Sequence, residues 1–336
     1  MPHIRKDPVT KQSVIIASDR TGRPSDYITV KDDKRISNTE LNCPFCKGHE
    51  NITPNASISI FDNNSNWAVR IVPNKYPIIA ETKAGELPNT TNLFNASSSK
   101  GFHDVIIENP NHNFNFYNAK SEDLLKIFDA VILRLKELYK ENDMQYSLYF
   151  KNFGREAGAS LYHSHSQMIT TPFIPIQMFD EINGALEYYN EKNKCVYCDI
   201  IAEEKKLNER VICENKEFIA ISPFASRFPY QIYILPKKHF DSIIDSSDYN
   251  FDFANIVKDV FNRINKLLGE VSFNYVLHTL SPTLKQKEKY SSSNHWFLDI
   301  IPKMSKLAGY ELGSGVYINS INPEDAAKDL RDVSSI

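Results

Sequence analysis

Four of the five cysteines fall into two Cys-x-x-Cys pairs, Cys43 with Cys46 and Cys195 with Cys198. The tight turn of such a pair brings two thiolates to one tetrahedral ion, and zinc then needs two more ligands from elsewhere. Each half of the chain supplies them in the same order: a histidine behind a proline-stopped strand, then a later histidine. The two sets are Cys43, Cys46, His112 and His163, and Cys195, Cys198, His239 and His295. Their recurrence predicts two zinc ions per chain. A redox dithiol would need a βαβ context that neither half offers. Cys213 reads as a small buried hydrophobe. His3, His49, His103 and His278 have no matched partners and are expected to be surface or core histidines.

The halves differ two residues past the later ligand, where the first has His165 and the second has Phe297. Residues i and i+2 of a strand share a face, so His163 and His165 are expected to point together, with Gln167 on the same side. A free imidazole beside an anchored one is a candidate nucleophile. Phe297 cannot serve, so chemistry is expected only in the first half. An amide at position 167 donates hydrogen bonds but cannot protonate a poor leaving group, which suits a reaction whose leaving group is already a stable phosphate.

The elements that must hold these residues also repeat. Trp67 to Val72 and Phe218 to Ile221 are β-compatible runs stopped by proline, as are Val105 to Ile107 and Ile232 to Leu235. Leu124, Phe128, Val131, Leu135 and Leu138 recur at helical spacing, as do Phe253, Ile256, Val260, Ile264 and Leu267. Tyr146 to Phe150 and Phe273 to Leu277 then precede the two late histidines. This order predicts an α+β fold of two halves, 1–175 and 176–336, each with mostly antiparallel sheet and one long helix, related by a pseudo-twofold repeat.

With 336 residues there is chain enough for two ordinary domains. A net charge of -3 gives no global positive field for nucleic acid and no polybasic block for a membrane surface, so any phosphate site must be built locally. Met1 to Ile16 carries charges and Pro8 where an export signal needs an unbroken apolar run, so a cytoplasmic protein is expected.

The pattern His163-x-His165-x-Gln167 resembles the nucleotidyltransferase branch of the histidine-triad superfamily. A wider set of motifs resembles the galactose-1-phosphate uridylyltransferase family over almost the whole chain. These are Arg5-Lys6-Asp7-Pro8-Val9-Thr10, Cys43-Pro44-Phe45-Cys46, Val69 to Pro77, His163 to Gln167, and Lys306-Leu307-Ala308-Gly309-Tyr310-Glu311. The resemblance implies that His165 attacks the α-phosphorus of UDP-glucose, expels glucose 1-phosphate and passes UMP to galactose 1-phosphate or another hexose 1-phosphate. It assigns Gln167 to stabilising the uridylylated intermediate and Ser160 to holding the substrate phosphates. Arg20, Arg23, Asn74 and Asn152 then contact the nucleotide. Lys306, Tyr310 and Glu311 form a hexose-phosphate loop that in this family reaches into a partner subunit, implying a homodimer.

Three features depart from that pattern. No glutamine follows Glu311 in the stretch to Tyr317, Phe297 replaces a usual second histidine, and the second Cys-x-x-Cys pair with His295 resembles the two-zinc ADP-glucose phosphorylase branch. The leading expectation is a uridylyltransferase working by double displacement. The alternatives are an ADP-glucose or dinucleoside polyphosphate phosphorylase using the same histidine chemistry, and a non-catalytic binding module with two zinc clusters as scaffold.

Overall fold

The structure, a computed structural model, describes residues 1–20, 42–79, 91–97, 99–141, 143–285 and 287–333. Its strands are β1 (His3–Lys6), β2 (Ser13–Ile16), β3 (Ile58–Phe61), β4 (Trp67–Pro73), β5 (Phe102–Ile107), β6 (Tyr146–Phe153), β7 (His165–Thr171), β8 (Val211–Glu214), β9 (Phe218–Ile221), β10 (Ile232–Pro236), β11 (Phe273–His278), β12 (Phe297–Pro302) and β13 (Tyr317–Asn319). Its helices are α1 (Ser121–Leu138), α2 (Ile176–Lys192), α3 (Val196–Leu207), α4 (Asn250–Leu268), α5 (Lys287–Ser291), α6 (Gly309–Ser314) and α7 (Pro323–Asp332). None of the described helices is long and apolar enough to cross a membrane.

Ten strands form one continuous antiparallel sheet in the order β3-β4-β5-β7-β6-β11-β12-β10-β9-β8. Read outward from the central β6–β11 pair, the two sides run β6, β7, β5, β4, β3 and β11, β12, β10, β9, β8. The same succession of elements thus recurs on both sides, and the repeat seen in the sequence becomes a pseudo-twofold in space. At the centre Tyr149 and Tyr275 bring their hydroxyls 2.5 Å apart. The long helices α1 and α4 cover one face. Leu124, Phe128, Val131, Leu135 and Leu138 of α1 and Phe253, Ile256, Val260 and Ile264 of α4 are all buried in a core shared with Ile106, Met168, Ile234 and Leu298 of the sheet. Helical spacing of apolar residues therefore chose the correct face in both helices.

The expectation of one long helix per half is too simple. The second Cys-x-x-Cys pair is preceded by α2 and opens α3, whereas the first lies in a turn without a helix. Both extra helices have a narrow apolar stripe; α2 buries only Ile182, Gly184, Ala185 and Leu186, so periodicity signals it weakly. Here Gly184 is required by close approach, since a Cβ at that position would meet the Val9 carbonyl oxygen at 2.1 Å.

The N-terminal motif serves this packing. Asp7 closes its own turn by accepting from the backbone of Val9 and Thr10, and Arg5 makes a two-pronged ion pair with Glu324 at 2.8 and 2.9 Å. With β2 pairing in parallel to β13, the first residues of the chain are tied to its last ones.

Candidate active site

The chemistry-bearing side chains collect on the face of the sheet opposite α1 and α4. β5 and β7 pair with Ile107 opposite His165 and Val105 opposite Gln167. His165 begins β7, while His163 sits in the turn before it, so strand alternation governs His165 and Gln167 and a loop places His163. Both imidazoles nevertheless pack against Phe45 of the Cys43-to-Cys46 turn, with ring centroids at 6.0 Å for His163 and 5.4 Å for His165. Phe45 links the metal turn to His165.

His165 is 7 % exposed, and its Nδ1 lies 2.8 Å from the His163 carbonyl oxygen. A carbonyl only accepts, so Nδ1 carries the proton and Nε2 keeps a free lone pair. Burial holds the His165 pKa below the ordinary imidazole value; the His163 carbonyl opposes that shift and the Lys151 charge reinforces it. The imidazole is therefore neutral and nucleophilic at neutral pH.

Beneath it, on the helix-covered face, Lys151 donates to Glu108 at 2.5 Å, to Ser164 Oγ at 2.9 Å and to the His165 carbonyl at 3.0 Å. This wholly buried ion pair fixes the entry to β7. Nothing in its spacing marked Glu108 or Lys151 in the sequence.

Gln167 Oε1 lies 2.8 Å from His103 Nε2. Asn74 lies against the same ring, with Nδ2 3.1 Å from that nitrogen. His103, expected to be an ordinary surface or core residue, is thus buried within the site. Asn152, on β6, accepts from Asn274 at 2.8 Å through Oδ1, which leaves its NH2 for other partners. Ser160 is exposed in the loop between β6 and β7. Lys306 pairs with Glu156 of that loop at 3.0 Å, Tyr310 is exposed, and Glu311 caps its own short helix through the Ala308 amide. Among the described residues no hydrogen bond or ion pair joins Lys306, Tyr310 or Glu311 to His165 or Gln167. Arg23 lies outside the described residues, as does the side chain of Arg20.

Both expected metal sets assemble. Within each, one donor atom from every residue lies within 4.8 Å of the others. In the first, Sγ of Cys43 and Cys46 lie 3.5 Å from His163 Nδ1, and Cys46 Sγ lies 3.3 Å from His112 Nδ1. In the second, Cys198 Sγ lies 3.6 Å from His239 Nδ1 and 3.8 Å from His295 Nδ1. A tetrahedral zinc with ordinary Zn–S and Zn–N bonds separates sulfur from nitrogen by about 3.6 Å, so the spacing fits. The outer shell fits as well. His163, His239 and His295 each turn Nε2 to a backbone carbonyl, of Asn109, Ser291 and Pro236 respectively, which sets Nδ1 as the ligand. His49 does not ligate; its Nδ1 donates to the Cys43 carbonyl at 2.7 Å and braces the turn. Bound zinc would have four protein ligands and no open position, so its contribution is to hold structure and to orient His163.

In the second half Phe297 occupies the place of His165. The His278 ring stacks on it at 4.2 Å and bonds to Glu181. A cavity of about 710 Å³ opens there between Tyr197, Tyr233, Arg227 and Phe297, and the imidazole of His278, stacked on Phe297 and tied to Glu181, lines it. Volume alone does not mark the chemical centre.

Comparison with known proteins agrees with this arrangement. The family described as galactose-1-phosphate uridyl transferase matches the chain twice, its N-terminal domain at residues 1–175 and its C-terminal domain at residues 181–335. An ADP-glucose phosphorylase from Arabidopsis thaliana is 35 % identical over 337 residues, covering 99 % of this chain and 93 % of its own. A galactose-1-phosphate uridylyltransferase from Thermotoga maritima is 26 % identical, covering 99 % and 98 %. The crystal structure of an Arabidopsis thaliana ADP-glucose phosphorylase with bound ADP-glucose superposes with a TM-score of 0.84 at 33 % identity, over the whole of both chains.

Proposed function

The chain belongs to the galactose-1-phosphate uridyl transferase family, and from that premise we propose that it transfers a nucleotidyl group from a nucleotide sugar to a phosphate acceptor through a covalent adduct on His165. In the first displacement the Nε2 lone pair attacks the α-phosphorus. An N–P bond forms, the P–O bond to the sugar phosphate breaks, and the sugar 1-phosphate leaves with the electron pair. In the second, an acceptor phosphate oxygen attacks the same phosphorus and the N–P bond breaks. The His163 carbonyl, holding Nδ1–H, stabilises the imidazolium character of the adduct, and the Gln167 NH2 donates to the phosphoryl oxygens. The observation that carries the reading is the 2.8 Å contact of His165 Nδ1 with the His163 carbonyl, which leaves Nε2 for the phosphorus in the half where the other half has Phe297.

The first donor and acceptor pair is UDP-glucose with galactose 1-phosphate or another hexose 1-phosphate, the exchange named for the family. Asn74, Asn152, Ser160, Arg20 and Arg23 serve the nucleotide and its phosphates. Lys306, Tyr310 and Glu311 serve the hexose phosphate of a partner subunit in a homodimer. The second reading is phosphorolysis of ADP-glucose, favoured by the 35 % identical relative and by the complete second metal set. A cross of UDP-glucose and ADP-glucose against hexose 1-phosphate and inorganic phosphate separates them. An adduct mapping to any residue other than His165, or full activity of His165→Gly with either donor, would overturn the mechanism.

A further inference from the structure

We propose that His103 is a positioning residue that dictates which end of the Gln167 amide faces the reacting phosphoryl group. The inference rests on reading Gln167 as the phosphoryl donor. His103 lies on β5, diagonally across from Gln167 on β7, since Val105 is opposite Gln167 and His103 opposite Ile169. Diagonal neighbours on one face are within reach of long side chains.

The proton on His103 is assigned by its surroundings. The Ile78 backbone N–H points at Nδ1 from 3.2 Å, and a backbone amide only donates, so Nδ1 holds the lone pair and Nε2 the proton. Asn74 cannot accept that proton, because its Oδ1 already accepts from the Tyr76 amide at 2.9 Å; its NH2 lies 3.1 Å from Nε2 and 3.5 Å from Nδ1, beside the ring and out of line with Nε2–H, so the two donors do not face each other. The remaining acceptor is Gln167 Oε1 at 2.8 Å. With its oxygen taken, the Gln167 amide presents NH2 on its other side. The reversed amide would set NH2 against Nε2–H, donor against donor, and turn a carbonyl toward the phosphate. A glutamine has no intrinsic preference between these two states; a neutral histidine fixed by a backbone N–H supplies one.

The other half of the sheet shows the same device without the need for it. Asp299 is opposite Tyr233, so Gln231 stands where His103 does, and its Nε2 donates to both carboxylate oxygens of Asp299 at 2.9 Å. The donor stays on the same strand and the acceptor on its neighbour. A carboxylate has two equivalent ends and needs no orienting, and Phe297 leaves nothing there to assist.

The test uses the zinc-loaded full chain with UDP-glucose and ADP-glucose as donors, and reads single-turnover formation of the nucleotidyl adduct in His103→Phe, His103→Gln, Gln167→Ala and the double variant His103→Phe/Gln167→Ala. Loss of one preorganised donor slows such steps roughly 100-fold. Gln167→Ala and His103→Phe should each show that loss with donor affinity within about threefold of the parent, and the double variant should be no slower than Gln167→Ala. His103→Gln, which keeps a donor as Gln231 does, should recover at least about a tenth of the parent rate. Melting temperature and zinc content separate misfolding from misorientation. If His103→Phe does not fold, the flexible His103→Met carries the same comparison. A double variant slowed by the product of the two single losses, or a histidine variant without a donor that reacts at the parent rate while Gln167→Ala is slow, overturns the role of His103 and leaves Gln167 intact. Parent-rate reaction in Gln167→Ala removes the premise itself.

Discussion

Removing Lys151 tests whether the strand that carries His165 is held by a buried charge. The side chains of Lys151 and Glu108 are wholly buried, and burial alone pushes the Lys151 pKa down while Glu108 opposes it. In Lys151→Met the Glu108 carboxylate keeps only the Ser164 hydroxyl among the contacts made here, and its Oε1 already has no partner among the described residues. Breaking a buried pair from one side leaves an uncompensated charge and costs about 3–5 kcal/mol. Unfolding entropy scales with length, and 336 residues correspond to about 0.7 kcal/mol per degree near the midpoint, so the melting temperature should fall by about 4–7 °C. Lys151→Met/Glu108→Leu removes both charges and should be more stable than Lys151→Met by at least about 2 kcal/mol, because no ion is left buried alone. Calorimetry on the zinc-loaded protein reads the parent, Lys151→Met, Glu108→Leu and the double variant. A double variant whose loss equals the sum of the single losses would show that the charges act independently and would refute the reasoning.

Other outcomes follow from the same geometry. The purified protein should carry close to two zinc equivalents by elemental analysis, and Cys43→Ser should lower the melting temperature more than Cys213→Ser, since a lost thiolate ligand forfeits folding energy carried by the metal. One equivalent unaffected by Cys195→Ser would show the second set to be empty in solution. Because burial depresses the His165 pKa, the imidazole stays neutral as pH falls through its ordinary value, so the acid limb of kcat/KM should lie below about pH 6.5; a limb at or above that value, read from a pH–rate profile, would contradict the burial argument. With a nucleotide sugar and water alone, release of free nucleotide should be far slower than exchange with a phosphate acceptor, because the Gln167 amide is no base and the Nε2 lone pair of His165 is taken up in the N–P bond of the adduct. Hydrolysis at the exchange rate would count against the transferase reading.

Much of the site could be read from the chain because its signals are local in type and repeated in order. Thiolate and imidazole are the residues zinc demands, and the same four-ligand order twice over named both sets before any contact was known. Helical spacing named the buried faces of α1 and α4, and the exchange of His165 for Phe297 is what directs the proposed chemistry to one half. Other features depend on contacts between residues distant in sequence. Whether two repeats make separate domains or one sheet is decided by the central strands β6 and β11, whose pairing leaves no sequence pattern. Lys151 and Glu108 look like ordinary surface charges until folding puts them under β7. The extra helices carry too thin an apolar stripe to be seen by periodicity, and the Asp7 turn becomes a clamp only where it meets Gly184. Most telling is His103, which has no matched partner in the sequence and seemed unremarkable. Its proton is placed by one backbone N–H from Ile78 and its acceptor by the β5–β7 register, and both exist only once the chain has folded.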